Sequence, residues 1–226
     1  MFPALSEYKN QREALFDKTY KFLALTYMLI IPSIFGLFIV DVQFATVILG
    51  EKWRDAAPIL SALSLLMLSY PLNAISHNLY DYLNKTHLSL FNDLLGMFAL
   101  LLTFYLWQFN SIEEFANIRA YIASVLFLVL IVIVKITLGF SLRAMFSLIA
   151  LPLVSSLFMY AAFTFIYVNE NVTLLGFFIN VFLGGLYFII SASIVIILVQ
   201  KKSVIWQFWY GKVIDFIFVL KLRFYA

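Results

Sequence analysis

Apolar residues along this chain come in long runs separated by short polar breaks, not in the short alternating segments of a β-barrel. A helix crossing the ~30 Å hydrocarbon layer needs about 20 mostly apolar residues. Six segments meet that length: 22–40, 56–80, 88–109, 120–140, 144–169 and 171–200. The third carries one charge, Asp93. The fourth is uncharged only over 120–134, so Lys135 must snorkel from near its end for the helix to reach Phe140. The pattern predicts an all-α polytopic membrane protein with about six transmembrane helices.

Composition removes the soluble alternative. Apolar residues make up 64% of the 226, against roughly 45–50% in ordinary globular chains. Charged residues are 12%, about half the usual share. At a mean hydropathy of +0.99, too few polar side chains remain to cover a water-facing surface. The polar stretch with Glu7, Lys9, Arg12, Glu13, Asp17, Lys18 and Lys21 stands where a signal peptide would need an apolar run.

Charge sets the expected orientation, because Lys and Arg are retained in cytoplasmic loops. With a cytoplasmic N-terminus, twelve of the fifteen basic residues fall inside, and only Lys52, Arg54 and Arg119 fall in outside loops. Both termini are therefore expected in the cytoplasm. Three regions follow: a cytoplasmic connecting helix over 1–21, a six-span lobe over 22–200, and a basic, aromatic helix over 201–226. Lys212 and Asp215 break the last apolar stretch, and Trp206 and Trp209 suit headgroup depth, so it is expected to lie in the interface.

The residues that bear chemistry are few. The chain has no cysteine, and its two histidines, His77 and His87, are too few for a histidine-built metal site. The basic residues are dispersed between apolar runs, which argues against a nucleic-acid partner. No phosphate-loop, dinucleotide-binding, zinc-protease or nucleophile-elbow motif is present. No cofactor is expected. Pro32, Pro71 and Pro152 sit inside spans, where each can kink its helix. Gly176, Gly184 and Gly185 thin one face of the sixth span and permit close helix approach.

Polar groups at membrane depth are the candidate site. The short link over 81–87 makes the second and third spans antiparallel neighbours, with His77 and Asp93 at similar depth. Asn73, His77, Asn92 and Asp93 are expected to form one polar cluster. Its bland reading is a His77–Asp93 pair locking two helices. Its functional reading is the cytoplasmic mouth of a substrate cavity, since ionisable residues in spans usually face the interior.

Three short stretches carry a resemblance. They are Phe2-Pro3-Ala4-Leu5-Ser6, then Gly50-Glu51-Lys52-Trp53 with Ala56-Ala57-Pro58-Ile59-Leu60, then Asn84-Lys85-Thr86-His87-Leu88. Independently of any family, Trp53 between Lys52 and Arg54 fits an interfacial anchor. Pro58 near a helix start has its missing N–H where none is needed. In order and spacing the stretches resemble the C-terminal half of bacterial polysaccharide flippases. These are the Wzx-type O-antigen and exopolysaccharide transporters of the multidrug/oligosaccharidyl-lipid/polysaccharide exporter superfamily. The motif residues are Pro3, Ser6, Gly50, Trp53, Pro58 and Lys85. Asn84 replaces the family's usual glycine, and asparagine also tolerates the left-handed conformation.

The resemblance implies a non-enzymatic role in the bacterial inner membrane. The chain would be the C-terminal lobe of a flippase that moves undecaprenyl-diphosphate-linked oligosaccharide repeats for polysaccharide biosynthesis. The bilayer and the lipid-linked glycan are the implied partners. Such flippases are built in two lobes, and this chain begins past their midpoint, so a missing N-terminal lobe or partner chain is also implied. The alternatives are a membrane-embedded glycosyltransferase or polymerase and a non-catalytic membrane subunit. The enzyme would draw on the outer carboxylates Asp41, Glu51, Asp55, Glu113, Glu114 and Glu170.

Overall fold

A computed structural model describes residues 12–166 and 172–198. Pro3, Ser6 and the interfacial helix expected over 201–226 lie outside the described residues. Those described are helical apart from short turns, with no strand among them, and include six helices long and apolar enough to cross a membrane. The reading as an all-α polytopic membrane protein holds.

The first span is α1 (Arg12–Gln43), continued by a π-helical stretch over Phe44–Leu49. Pro32 lies inside α1 without ending it. The irregular dihedrals fall at Val40 (φ −116°, ψ 19°), shortly before the π turn. Within 12–21, Lys21 pairs with Asp17 one turn earlier, and the helix runs unbroken from there into the apolar span.

Gly50 ends the π turn at φ 106°, ψ 155°, a conformation in which a side chain is strained. Its carbonyl accepts the Trp53 N–H at 2.9 Å, closing a 3-10 turn over Glu51–Ala56. Pro58 stands in the first turn of α2 (Ala57–Ser64), where no donor is needed.

The second span then tightens into a 3-10 turn, Leu65–Leu68, before α3 (Tyr70–Tyr82). Pro71 is the cause. It cannot donate to the carbonyl four residues back, and its ring crowds that carbonyl, so the preceding turn overwinds. The span ends at Asn84, which takes φ 54°. The Lys85 N–H bonds the Tyr80 carbonyl (2.7 Å) and the Asn84 N–H bonds that of Asp81 (3.1 Å). This is the paired closure of a left-handed helix cap. Asn84 thus holds the left-handed position that glycine most often fills.

The remaining spans are α4 (Thr86–Leu106), α5 (Ile112–Leu138), α6 (Leu142–Ile166) and α7 (Leu174–Leu198). Ser111 caps α5 by accepting the Glu114 N–H at 3.0 Å. Gly139 at φ 77° ends it, its N–H returning to the Lys135 carbonyl. These ends differ from the sequence expectation by a few residues, with one exception that matters. Arg119, counted with an outside loop, lies inside α5, because Ser111 starts that helix well before the apolar run.

The core gathers around α1, α3, α5 and α6. Leu23, Tyr27, Ile31, Leu72, Leu79, Val134, Leu148 and Leu151 are almost fully buried there. A second cluster of Met159, Phe188 and Ala192 joins α6 and α7 to Met28, Phe35 and Ile39 of α1. Gly184 faces Met159 and Phe163 of α6, whereas Gly185 faces open space. α4 stands at the periphery with no buried residue, packed mainly against α3 and α5. The many exposed large apolar side chains, such as Phe165, Ile136 and Leu29, are positioned to meet lipid.

Hydrogen bonds between spans pin the packing. Tyr80 Oη and Thr137 Oγ1 are 2.7 Å apart, and Ser191 donates to the Ser155 carbonyl at 3.0 Å. Buried Asn180 donates to buried Gln43 at 2.8 Å. Such bonds contribute on average about 0.6 kcal/mol each within a membrane.

Candidate functional site

The overwound turn of the second span places Ser69, Tyr70 and Asn73 on one side of the chain, facing α4 and α5. Between these three elements lies a groove of about 210 Å³. Its α3 side presents Ser69, Tyr70 and Asn73, and its α4 side presents Asn92, Leu95 and Gly96. The α5 side is an apolar stripe of Ala123, Leu126, Leu130 and Ile133, with Arg119 at one end. Their spacing of three and four residues keeps them on one helix face. From Arg119 to Ile133 the stripe runs about 21 Å along the axis.

Arg119 is the one formal charge among the groove residues. It stands about 10 Å along the helix from Ile112, is half-buried, and makes no hydrogen bond or ion pair to another described residue. Asn92 contributes an amide whose oxygen and nitrogen are both buried without a partner. Native structures rarely leave such groups unsatisfied, and ordered water or a bound molecule is the usual partner.

The four residues expected to cluster divide into two pairs. Asn73 and Asn92 line the groove. His77 and Asp93 lie beside it, with Nε2 3.4 Å from Oδ1, which is close contact without the alignment of a hydrogen bond. Asp93 is largely exposed there. Of the groove residues that the sequence reading missed, Arg119 is the charged one. The available signal was the Ser111-to-Glu114 spacing, a helix start that places Arg119 two turns inside.

Three of the outer carboxylates, Asp41, Glu51 and Glu114, are occupied by local structure, and Glu170 lies outside the described residues. Asp41 accepts from the Val42 N–H at 2.7 Å and from the Ser61 hydroxyl at 2.9 Å. Glu114 accepts from Trp107 Nε1 (2.9 Å), the Asn110 N–H (2.8 Å) and Asn110 Nδ2 (3.1 Å), closing the turn between α4 and α5. Glu51 pairs with Arg54 at 3.0 Å. Beside that turn, the rings of Phe104, Phe109 and Phe115 pack together with centroids 5.2–5.6 Å apart, Phe104 stacked on Phe115 and Phe109 edge-on to both. Among the described residues no three His, Cys, Asp or Glu side chains gather as a metal site would need.

Helices, lipid-facing apolar surface and an intramembrane polar groove define a multi-pass membrane protein. Residues 1–58 match the family described as "Polysaccharide biosynthesis protein". The Lipopolysaccharide biosynthesis protein WzxC of Escherichia coli (strain K12) is 32% identical over 63 residues. That stretch is 28% of this chain and 13% of WzxC. No solved structure matches. The resemblance to polysaccharide flippases drawn from the short motifs is borne out, and the family match takes in its first two stretches up to Pro58.

Proposed function

We propose that this chain forms one lobe of a flippase that carries lipid-linked oligosaccharide repeat units across the bacterial inner membrane for polysaccharide biosynthesis. The match over residues 1–58 carries the reading. That region contains the strained Gly50 turn and the Trp53 anchor that open the second span, which in turn supplies one side of the groove. The bias of Lys and Arg toward one set of loops supports cytoplasmic termini. The Gly50 and 107–111 turns then face outward, and the Asn84 and Gly139 caps face inward.

Alternating access needs two bodies that rock against each other about a site near the midplane. The main core is shared by four of the spans, and a second cluster ties the sixth span to the first and fifth, which suits one rigid body. A second lobe, covalent or separate, would be the other.

The test is movement of undecaprenyl-diphosphate-linked oligosaccharide across vesicle membranes. It should be absent with this chain alone and present when an N-terminal lobe is supplied. Robust movement by the chain alone would refute the single-lobe reading. Glycan extension or release in the same vesicles would show an enzyme instead.

A further inference from the structure

We infer that the groove among α3, α4 and α5 is a binding site for the phosphate of a lipid, with Arg119 as its anion-binding group. Four features converge on it. Arg119 is half-buried two turns inside α5 and bonded to no other described residue. A guanidinium in that position presents a planar fork of donors matched to phosphate oxygens. Among the described residues no carboxylate lines the groove, which leaves the place beside Arg119 open to an external anion. The nearest acidic residue on the same helix, Glu114, already accepts from Trp107 and Asn110.

The rest of the groove suits what such a phosphate carries. The hydroxyl of Tyr70 and the amide of Asn73 offer further donors on one side, the Ser69 hydroxyl being taken by the Leu66 carbonyl, and the unpartnered Asn92 amide adds another. The opposite side is the unbroken apolar stripe from Ala123 to Ile133, which suits a hydrocarbon chain. At Gly96 a side chain would enter open space, so this part of the groove is vacant down to the backbone. The ligand is thus amphipathic, with its anionic end at Arg119 and its chain along α5. Two sources have that chemistry, an isoprenoid phosphate and an acyl phospholipid.

The inference does not depend on the flippase reading. Lipid phosphate bound by the chain, with no glycan moved even when an N-terminal lobe is supplied, refutes that reading and leaves this one intact. The purified full chain, stripped of lipid in detergent, is offered matched pairs that differ only in phosphate: undecaprenyl phosphate against undecaprenol, and phosphatidic acid against diacylglycerol. Bound lipid is read by native mass spectrometry. Undecaprenyl phosphate or phosphatidic acid should be retained about tenfold or more over its neutral counterpart, as expected for a charge-assisted contact. The preference should vanish in Arg119→Gln and survive in part in Arg119→Lys.

Gly96→Leu fills the groove where nothing obstructs a side chain, and should lower retention of every lipid with helicity unchanged. This variant keeps the test decisive if Arg119→Gln folds poorly. Preference within both pairs marks a general lipid-phosphate site, and preference within one pair identifies the chain that fits; either supports the inference. No preference for phosphate, or one that persists in Arg119→Gln, overturns it.

Discussion

The hydroxyl of Tyr20 accepts the backbone N–H of Ser141 at 2.8 Å, across 121 residues of sequence. The contact ties the start of the first span to the link between the fourth and fifth. Ser141 stands just past the left-handed cap at Gly139, where its N–H is out of reach of a helical carbonyl. The Tyr20 ring packs on Phe140, which packs in turn on Phe16. Tyr20→Phe keeps the ring and removes the bond, so it should destabilise by about 0.5–1.5 kcal/mol. Thermal unfolding in detergent should show a small drop, with faster amide exchange at Ser141. Tyr20→Ala, which also removes the ring from Phe140, should cost clearly more.

Backbone strain makes a sharper demand at Gly50. Its φ of 106° with ψ of 155° suits glycine alone, and a side chain there should cost about 1–3 kcal/mol. Gly50→Ala is expected to lower stability by that amount even though its Cβ would meet nothing within 4 Å. At Asn84, with φ 54°, Asn84→Gly should be neutral or slightly stabilising and Asn84→Val destabilising. Equal effects of valine and glycine at that position would contradict the cap geometry.

The sixth span offers a packing test. A Cβ at Gly184 would sit 3.6 Å from the Phe163 ring and 3.9 Å from the Met159 sulfur, ordinary contact distances. Gly184→Ala should therefore be tolerated. Gly184→Leu overfills the α6–α7 contact and should cost about 1–3 kcal/mol. Gly185→Leu, facing open space, should not. The contrast between adjacent glycines is the measurement, read as melting temperature in one detergent.

His77 and Asp93 call for a double-mutant cycle. With Nε2 and Oδ1 3.4 Å apart and Asp93 largely exposed, their coupling should be at most about 1 kcal/mol. His77→Gln, Asp93→Asn and the double variant, compared by unfolding, should give that value. If Asp93 instead serves transport, Asp93→Asn in the complete transporter should lower glycan export at normal abundance.

The orientation is open to a labelling test, helped by the absence of native cysteine. Ser141→Cys and Ser111→Cys both place a thiol at an exposed turn. The first should react only from the cytoplasmic side and the second only from outside. Reaction of both from one side would overturn the alternation of the spans.

What the sequence determined by itself was the number and rough extent of the spans, because burial in lipid demands an apolar run of set length. It also determined local geometry that single residues impose: proline in the first turn of α2, and the left-handed cap that asparagine permits at residue 84. The rotation of each helix was left to tertiary packing. A span that is apolar nearly all round carries no stripe to say which face turns inward. Asn92 and Asp93 are adjacent, and adjacent helical residues point to different sides. Only the packing of α4 against α3 and α5 sent one into the groove and the other to His77. Packing also left α4 at the periphery and brought Arg119, read from sequence as a loop charge, beside Asn73 and Asn92. The separation is physical: an apolar run is selected by the solvent it faces, whereas a site depends on which faces of several helices meet.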